Sequence, residues 1–415
     1  MSNFLKDTIR GNTAAWWETH GRIWPKNRKK GLIAPVQNVL QRRYAAVIEK
    51  MQDAGLPVRV VGLKPRQRGS TTYIVGDGYA KLRRESTSGC IIAGEYSQTS
   101  AAWQMMQTYH LNDGFDGWNN FGEINEEAGK FSNGSKLRKE TAGDKHAGIA
   151  DTYQWLLVTE LGRWAALGVV NAAEVLSNIL KGVPLEPDTT IIIESTAEGD
   201  SGEFPTRFRD AVPAEEFLNG NKIPQPGDYV SVFGAWFEFE DSAIRLTDEQ
   251  QAFIEATLDT VERFKGEKDL IADYGEKDEN GRVIRLGREV TGFNVWEQLA
   301  WRRMVIDKEC KKDAKIFDRD YPHSADAAFQ ASGRPVFNKS GLKAMEIRAK
   351  AKPANPGVLE PTREKDRFVF RPTSIEEARY QFWERPMLGR KYLVVVDMMT
   401  GASQARGGAG SAQYT

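Results

Sequence analysis

Nine consecutive residues, Lys64-Pro65-Arg66-Gln67-Arg68-Gly69-Ser70-Thr71-Thr72, gather three cations, one glycine and three hydroxyls directly after the apolar run Val58–Leu63. That placement suits a phosphate-binding loop between a strand and a helix. In the common form, G-x-x-x-x-G-K-[ST], backbone N–H groups and a helix N-terminus bind phosphate oxygens, a lysine neutralises them, and the hydroxyl binds Mg2+. Gly69 and Thr71 keep the spacing of that form, whereas Ser70 stands at the lysine position and Lys64 at the first glycine. A loop that polarises a phosphoryl group needs a cation near the β and γ oxygens. Lys64 can supply it from the other end of the loop, and Arg66 or Arg68 can do the same. The competing reading is a basic strand-to-helix turn that holds no ligand.

Two later apolar runs also end in groups suited to phosphoryl transfer. Trp155-Leu156-Leu157-Val158-Thr159-Glu160 ends in a carboxylate able to orient or deprotonate water. Phosphate-loop ATPases commonly carry Asp-Glu at this point; here Thr159 takes the Asp place, a hydroxyl without charge. Ile191-Ile192-Ile193-Glu194-Ser195-Thr196-Ala197 runs into small hydroxyls that would lie beside Glu160 if the strands are neighbours, placed to sense the γ-phosphate. The plainer alternatives are a solvent-facing glutamate at a strand end and a Ser/Thr helix cap.

These groups need elements to position them. Val58–Leu63, Gly89–Ala93, Trp155–Val158 and Thr190–Ile193 have the length and composition of buried strands, and Ser100–His110 and Asn171–Leu180 read as amphipathic helices between them. The alternation predicts an α/β phosphate-loop NTPase fold, a mainly parallel sheet covered by helices, with ligands beyond the carboxyl ends of the strands. About 1–55 reads as an N-terminal helical region, 56–215 as the ATPase core, 216–340 as a charged helical lid, 341–388 as a linker with at most one hairpin, and 389–415 as a final strand, Tyr392–Asp397, with a short tail.

Composition limits the alternatives. A chain of 415 residues with 40% apolar and 27% charged residues is a globular protein of two or three domains. No run approaches the roughly 18 apolar residues of a membrane span, and the N-terminus lacks the apolar core of a secretion signal, so a cytoplasmic protein is expected. Two cysteines, Cys90 and Cys310, exclude a disulfide framework, and the histidines, His20, His110, His146 and His323, show no zinc spacing. Lys plus Arg equals Asp plus Glu at 57 each, which argues against a static DNA coat but allows a local grip. Lys26-Asn27-Arg28-Lys29-Lys30 beside Trp24 is one candidate patch, the alternative being a solvated basic turn. The aromatic stretch Phe233–Phe239 reads as lid core rather than a base-stacking platform.

With these motifs in chain order, the sequence resembles the large terminase subunit of tailed bacteriophages. That family shows a variant phosphate loop, a strand ending in Glu, and a strand running into Ser/Thr-Ala, with an Asn-Gly-Ser stretch and a Gly-rich turn before the glutamate strand. Here these are Asn133-Gly134-Ser135, Thr141-Ala142-Gly143 and Gly148. Gln298-Leu299-Ala300-Trp301-Arg302-Arg303, Tyr321–Phe329 and Ser332-Gly333-Arg334-Pro335-Val336-Phe337 resemble the signature near the end of the motor domain, and the match runs over about residues 35 to 400.

The resemblance implies an ATPase that translocates double-stranded DNA into a procapsid. It implies a ring of subunits working with a portal protein and a small terminase subunit, in the host cytoplasm and transiently at the procapsid. ATP would bind through Lys64, Arg66, Gln67, Arg68, Gly69, Ser70, Thr71 and Thr72, with Mg2+ on Thr71. Glu160 would be catalytic with Arg66, and Ser195 and Thr196 would couple phosphate loss to the lid. Relatives place an arginine near the Gly-rich turn that reaches a neighbour's site. Ile149 stands there in this chain, which leaves Arg163, Arg207, Arg209 or Arg66 as alternatives. Lys391–Gly401 resembles the first strand of an RNase H-like nuclease domain, with Asp397 as a ligand for its divalent metal. No Asp or Glu follows Asp397, so cutting is not expected of this chain. The alternatives to a packaging motor are another phosphate-loop nucleic-acid translocase and a nucleotide- or DNA-binding scaffold that does not hydrolyse.

Overall fold

The structure is a computed structural model that describes residues 3–118, 120–143, 152–169, 171–332, 355–361, 368–374 and 380–382. The chain divides into two units, Met1–Arg334 and Pro335–Thr415.

The first unit is built on a sheet. In chain order its strands are β1 (Val58–Leu63), β2 (Ser88–Ala93), β3 (Gly122–Ile124), β4 (Ala128–Phe131), β5 (Lys136–Thr141), β6 (Trp155–Thr159), β7 (Thr190–Ser195), β8 (Val212–Pro213) and β9 (Val230–Phe233). Across the sheet the order is β3-β4-β5-β2-β6-β7-β1-β9-β8. From β5 to β8 every neighbouring pair is parallel, and β3 and β4 add an antiparallel edge. The α/β fold with a mainly parallel sheet is therefore as the sequence predicted. The sheet continues past residue 215, since β9 pairs with β1.

Alternate residues of each central strand enter different cores, as the two-residue period of a strand requires. Val58, Val60, Ile91, Trp155, Leu157 and Ile192 pack on one face with the helices α1 (Asn3–Gly11), α2 (Thr13–Thr19), α3 (Val39–Asp53), α4 (Ser70–Arg84) and α5 (Tyr96–Asn112). Val61, Leu63, Ile92, Leu156, Val158 and Ile193 pack on the other, under α6 (Ala172–Lys181) and α7 (Glu203–Asp210), with Ala328 and Phe329 from a later helix. Both faces of the central strands are dry, which is why they read as unbroken apolar runs.

α3 illustrates how local sequence sets an element. Asn38 caps it in a reciprocal box with Gln41, and Leu40, Tyr44, Val47, Ile48 and Met51 recur at helical spacing on the buried side. Tyr44 lies against β1 at Gly62, where a Cβ would fall 1.6 Å from the phenol oxygen, so only glycine fits.

A third core lies in the helical stretch that the sequence suggested as a lid. After α8 (Ala214–Leu218) come α9 (Asp248–Ala256), α10 (Glu267–Tyr274), the hairpin β10 (Gly275–Lys277) and β11 (Val283–Leu286), α11 (Val295–Lys308), α12 (Ala314–Asp320) and α13 (Ala325–Ser332). Trp236 and Trp301 stack at 5.5 Å between ring centroids, and Phe237, Phe264, Leu299 and Phe317 close around them. Of the stretch Phe233–Phe239, Ala235, Trp236 and Phe237 belong to this core, partly buried Phe233 packs against it, and Phe239 is buried in the first core. Buried Gln298 bridges the backbone of Leu286 and the carbonyl of Phe237, and fully buried Glu267 accepts from Arg303 at 2.8 and 2.5 Å. These bonds satisfy polar groups that would otherwise be costly to bury. α13 leaves the lid and seats Phe329 against Phe204 and Phe208 of α7.

In the second unit, β12 (Asn355–Pro361) pairs antiparallel with both β13 (Phe368–Pro372) and β14 (Tyr380–Phe382), where the sequence suggested at most one hairpin. Asp397, its strand, Ile149 and Gly148 lie outside the described residues.

Candidate active site

The carboxyl ends of β1, β6 and β7 meet in one place because these strands are neighbours in register. Thr159 of β6 pairs with Glu194 of β7, and Glu194 pairs with Gly62 of β1. The loop after β1 then turns into α4. Gln67 and Gly69 take left-handed conformations at φ 57° and 71°, and Gly69 stands at the N-cap of α4 without a side-chain capping bond. The first turn of α4 therefore keeps its amide hydrogens for an acceptor from outside the helix. α3 holds the loop from below: Asn38 Nδ2 donates to the Arg68 carbonyl at 2.8 Å, and Gln41 Nε2 to the Gly69 carbonyl at 2.8 Å.

Lys64 is the centre of the site. Its Nζ lies 2.9 Å from Glu160 Oε1, 3.0 Å from Glu194 Oε1 and 3.0 Å from Thr71 Oγ1. Burial alone would lower the Lys64 pKa, but the charges of Glu194 and Glu160 outweigh it and hold the ammonium above its ordinary value. Burial likewise works to raise the Glu160 carboxyl; Lys64 and a backbone hydrogen bond from Thr196 overcome that and keep it below the ordinary range. Glu160 is thus ionised, which suits orienting a water better than removing its proton. Glu160 also stands at φ 56° and ψ 34°, a conformation that costs a non-glycine residue free energy and tends to persist where geometry matters.

The other expected site residues divide. Ser70 and Thr71, the first residues of α4, donate to Glu194 at 3.1 and 2.6 Å. Thr196 Oγ1 reaches Glu160 Oε2 at 3.4 Å, whereas Ser195 Oγ bonds the Thr196 carbonyl and the Gly162 amide instead. Thr72 points to the sulfur of Met105 at 3.8 Å, on the α5 side. Arg66 pairs with Asp320 at 3.2 Å, and its side chain is half exposed.

Arg68 is not brought to the Lys64 cluster. Its buried guanidinium turns into the lid, where it bonds Asp241 and Ser242 Oγ and lies 4.5 Å from the ring centroid of Phe239, 5.5 Å from Trp301 and 5.8 Å from Tyr321. The reason is energetic: an aromatic cage with an anion at its rim accepts a weakly hydrated guanidinium well. Arg207 pairs with Glu203, and Arg209 bonds the Asp200 carbonyl and stacks over Phe329.

Glu194 is the residue that sequence reasoning passed over. It is fully buried and accepts from Lys64, Thr71, Ser70 and Thr159, the last at 2.9 Å. Thr159 therefore spends its hydroxyl on Glu194. The signal was present: a charge that interrupts a buried strand, Ile-Ile-Ile-Glu-Ser, must have a partner.

As a donor set, a lysine, an uncapped helix N-terminus and a threonine hydroxyl beside carboxylates fit a nucleoside triphosphate with Mg2+. Lys64, Ser70 and Thr71 would hold it, and Glu160 would face the water side. No family model matches the chain, and no curated protein matches it. Among solved structures, it is similar to the HK97 bacteriophage large terminase, at 16% identity over 63% of this chain and 50% of that one, with a TM-score of 0.39. It is also similar to the Thermus phage P74-26 large terminase ATPase domain, at 16% identity over 51% of this chain and 87% of that one, with a TM-score of 0.32. A third is the Phi-28 gp11 DNA packaging motor, at 14% identity over 42% and 56% of the two chains and a TM-score of 0.27. The chain spans half the length of the HK97 structure it matches.

Proposed function

We propose that this chain is an ATP-hydrolysing motor of viral DNA packaging, acting on double-stranded DNA as part of a ring of like subunits. The observation that carries this reading is the meeting of Lys64, Thr71 and Glu160 at adjacent strand ends, with Lys64 Nζ within 3.0 Å of both Thr71 and Glu160. The sequence resemblance to phage large terminases supplies the biological setting, including a portal protein, a small terminase subunit and the procapsid as the place of work.

In this reading Lys64 and the first turn of α4 hold the phosphates, and Lys64 leaves Glu160 to do so. Glu160, freed of that ion pair, positions the attacking water and takes up its proton more readily than it can beside Lys64. Mg2+, when bound with the nucleotide, neutralises charge developing on the phosphoryl oxygens. Thr196, bonded to Glu160, relates the state of that carboxylate to the loop after β7. The phosphate loop is in turn tied to the lid through Arg68 and Arg66, so loop and lid move as coupled parts. DNA contact would run mainly through phosphates and weaken as salt rises.

The test is ATP turnover with and without duplex DNA. Wild type should hydrolyse ATP faster with DNA, and Lys64→Ala should fall to background in both. Equal rates for wild type and Lys64→Ala would reject the site. A specific observation favours a second reading: Lys64 is already neutralised by two carboxylates, as expected of a scaffold that binds without turnover. Tight ATP binding without hydrolysis, in the presence of DNA, would select it.

A further inference from the structure

We infer that Glu194 supplies the carboxylate partner of the nucleotide's divalent cation, a task moved from the end of β6 to the neighbouring strand β7. The inference rests on the nucleotide reading above and goes beyond it in naming the residue that answers for the cation.

Three observations carry it. The first is position. Thr159 stands where phosphate-loop ATPases commonly place Asp, and its register partner across β6 and β7 is Glu194. Thr159 Oγ1 donates to Glu194 Oε1 at 2.9 Å, so the missing charge is present one strand away, within a hydrogen bond of where it would otherwise be. The second is contact. Thr71, the hydroxyl placed to meet Mg2+, donates to the same Oε1 at 2.6 Å, and Ser70 donates to Oε2 at 3.1 Å. A threonine hydroxyl that gives its proton to a carboxylate keeps its lone pairs for a cation, and the carboxylate orients it.

The third is charge balance. Glu194 is fully buried, and among the described residues its only ion-pair partner is Lys64. When Lys64 turns to phosphate oxygens, Glu194 is left as an uncompensated buried anion, which is a costly state. A divalent cation at the Thr71 hydroxyl restores neutrality beside it. Nucleotide and cation then bind together for an electrostatic reason built into the site. Glu160 does not serve this role equally well: it lies at the water side, reached by Thr196 and partly exposed, and has no bond to Thr71 among those described.

The experiment is calorimetric titration of the full chain with ATP, once in Mg2+ and once in EDTA, with circular dichroism of every variant as the check on folding. Wild type should bind about tenfold or more tighter in Mg2+. Glu194→Gln should bind with nearly the same affinity in both conditions. Adding Thr159→Asp to Glu194→Gln should restore the Mg2+ preference, because position 159 faces the same point. If Glu194→Gln does not fold, Glu194→Asp, with its shorter reach, should show a reduced preference. A wild-type Mg2+ preference in Glu194→Gln alone, or in Glu194→Asp where only that variant folds, would overturn the inference and leave Glu194 a clamp on Lys64. A wild type that binds ATP in neither condition would overturn the nucleotide reading, and this inference with it.

Discussion

Replacing Arg68 separates its two candidate roles, phosphate ligand and lid anchor. In the structure the guanidinium is buried, bonds Ser242 at 2.6 Å and sits among Phe239, Trp301 and Tyr321. Arg68→Ala removes a charge-assisted hydrogen bond worth about 1.5 kcal/mol and a desolvated cation–π contact of about 1–2 kcal/mol. The pair with Asp241 adds little, because the Asp241 side chain is 60% exposed and rehydrates when left alone. The total is about 3 kcal/mol. For a unit the size of Met1–Arg334 this lowers the melting temperature by about 4 °C, since unfolding entropy scales with length. Asp241→Asn should cost less than about 1 kcal/mol by the same argument. Differential scanning calorimetry of the two variants reads both values. Two results would refute the reasoning. One is Arg68→Ala melting with wild type while losing all ATP binding, the behaviour of a phosphate ligand. The other is Asp241→Asn costing as much as Arg68→Ala, which would place the energy in the ion pair and not in the aromatic cage.

Other consequences arise from the packing and the charges. Gly62→Ala should destabilise by about 3 kcal/mol, because its Cβ would meet the Tyr44 hydroxyl, and Tyr44→Phe should recover part of that in the double variant. Tyr44→Phe alone should be neutral or slightly stabilising in a denaturation curve, since that buried hydroxyl has no hydrogen-bond partner among the described residues. His323 is held below its ordinary pKa of 6.5 by burial first and by the charge of Arg302 second. A folded histidine with a lowered pKa binds fewer protons than the unfolded one, so its contribution is present above about pH 6.5 and lost as pH falls below it. Melting temperature should therefore drop on acidification through that range, and His323→Gln should flatten the drop.

Much of the fold was legible because its central strands are buried on both faces. Val58–Leu63, Trp155–Thr159 and Thr190–Ser195 carry no solvent face and so announce themselves as apolar runs. The edge was not legible for the opposite reason. β5, Lys136–Thr141, is half exposed and mostly charged, and β3 and β4 are shorter still. β9 is a four-residue run that sequence reading assigned to the lid, because only pairing with β1 reveals it. Within the site, Lys64, Thr71 and Glu160 were identified by their place after strands, which topology then brought together. Arg68 and Arg66 look alike in the sequence. Only tertiary packing shows one caged by lid aromatics and the other paired with Asp320. Glu194 is not legible as a site residue because ligands are expected past a strand end, whereas the register across β6, β7 and β1 makes the last but one residue the one that faces α4.

In the proposed mechanism Glu160 acts on water while Lys64 and α4 hold the nucleotide. Measuring ATP affinity and DNA-stimulated turnover on the same samples of wild type and Glu160→Gln tests it directly. The expected result is affinity within about threefold of wild type and turnover lower by about 10²–10⁴, the range a positioned acid–base group contributes. Turnover by Glu160→Gln equal to that of wild type would contradict it.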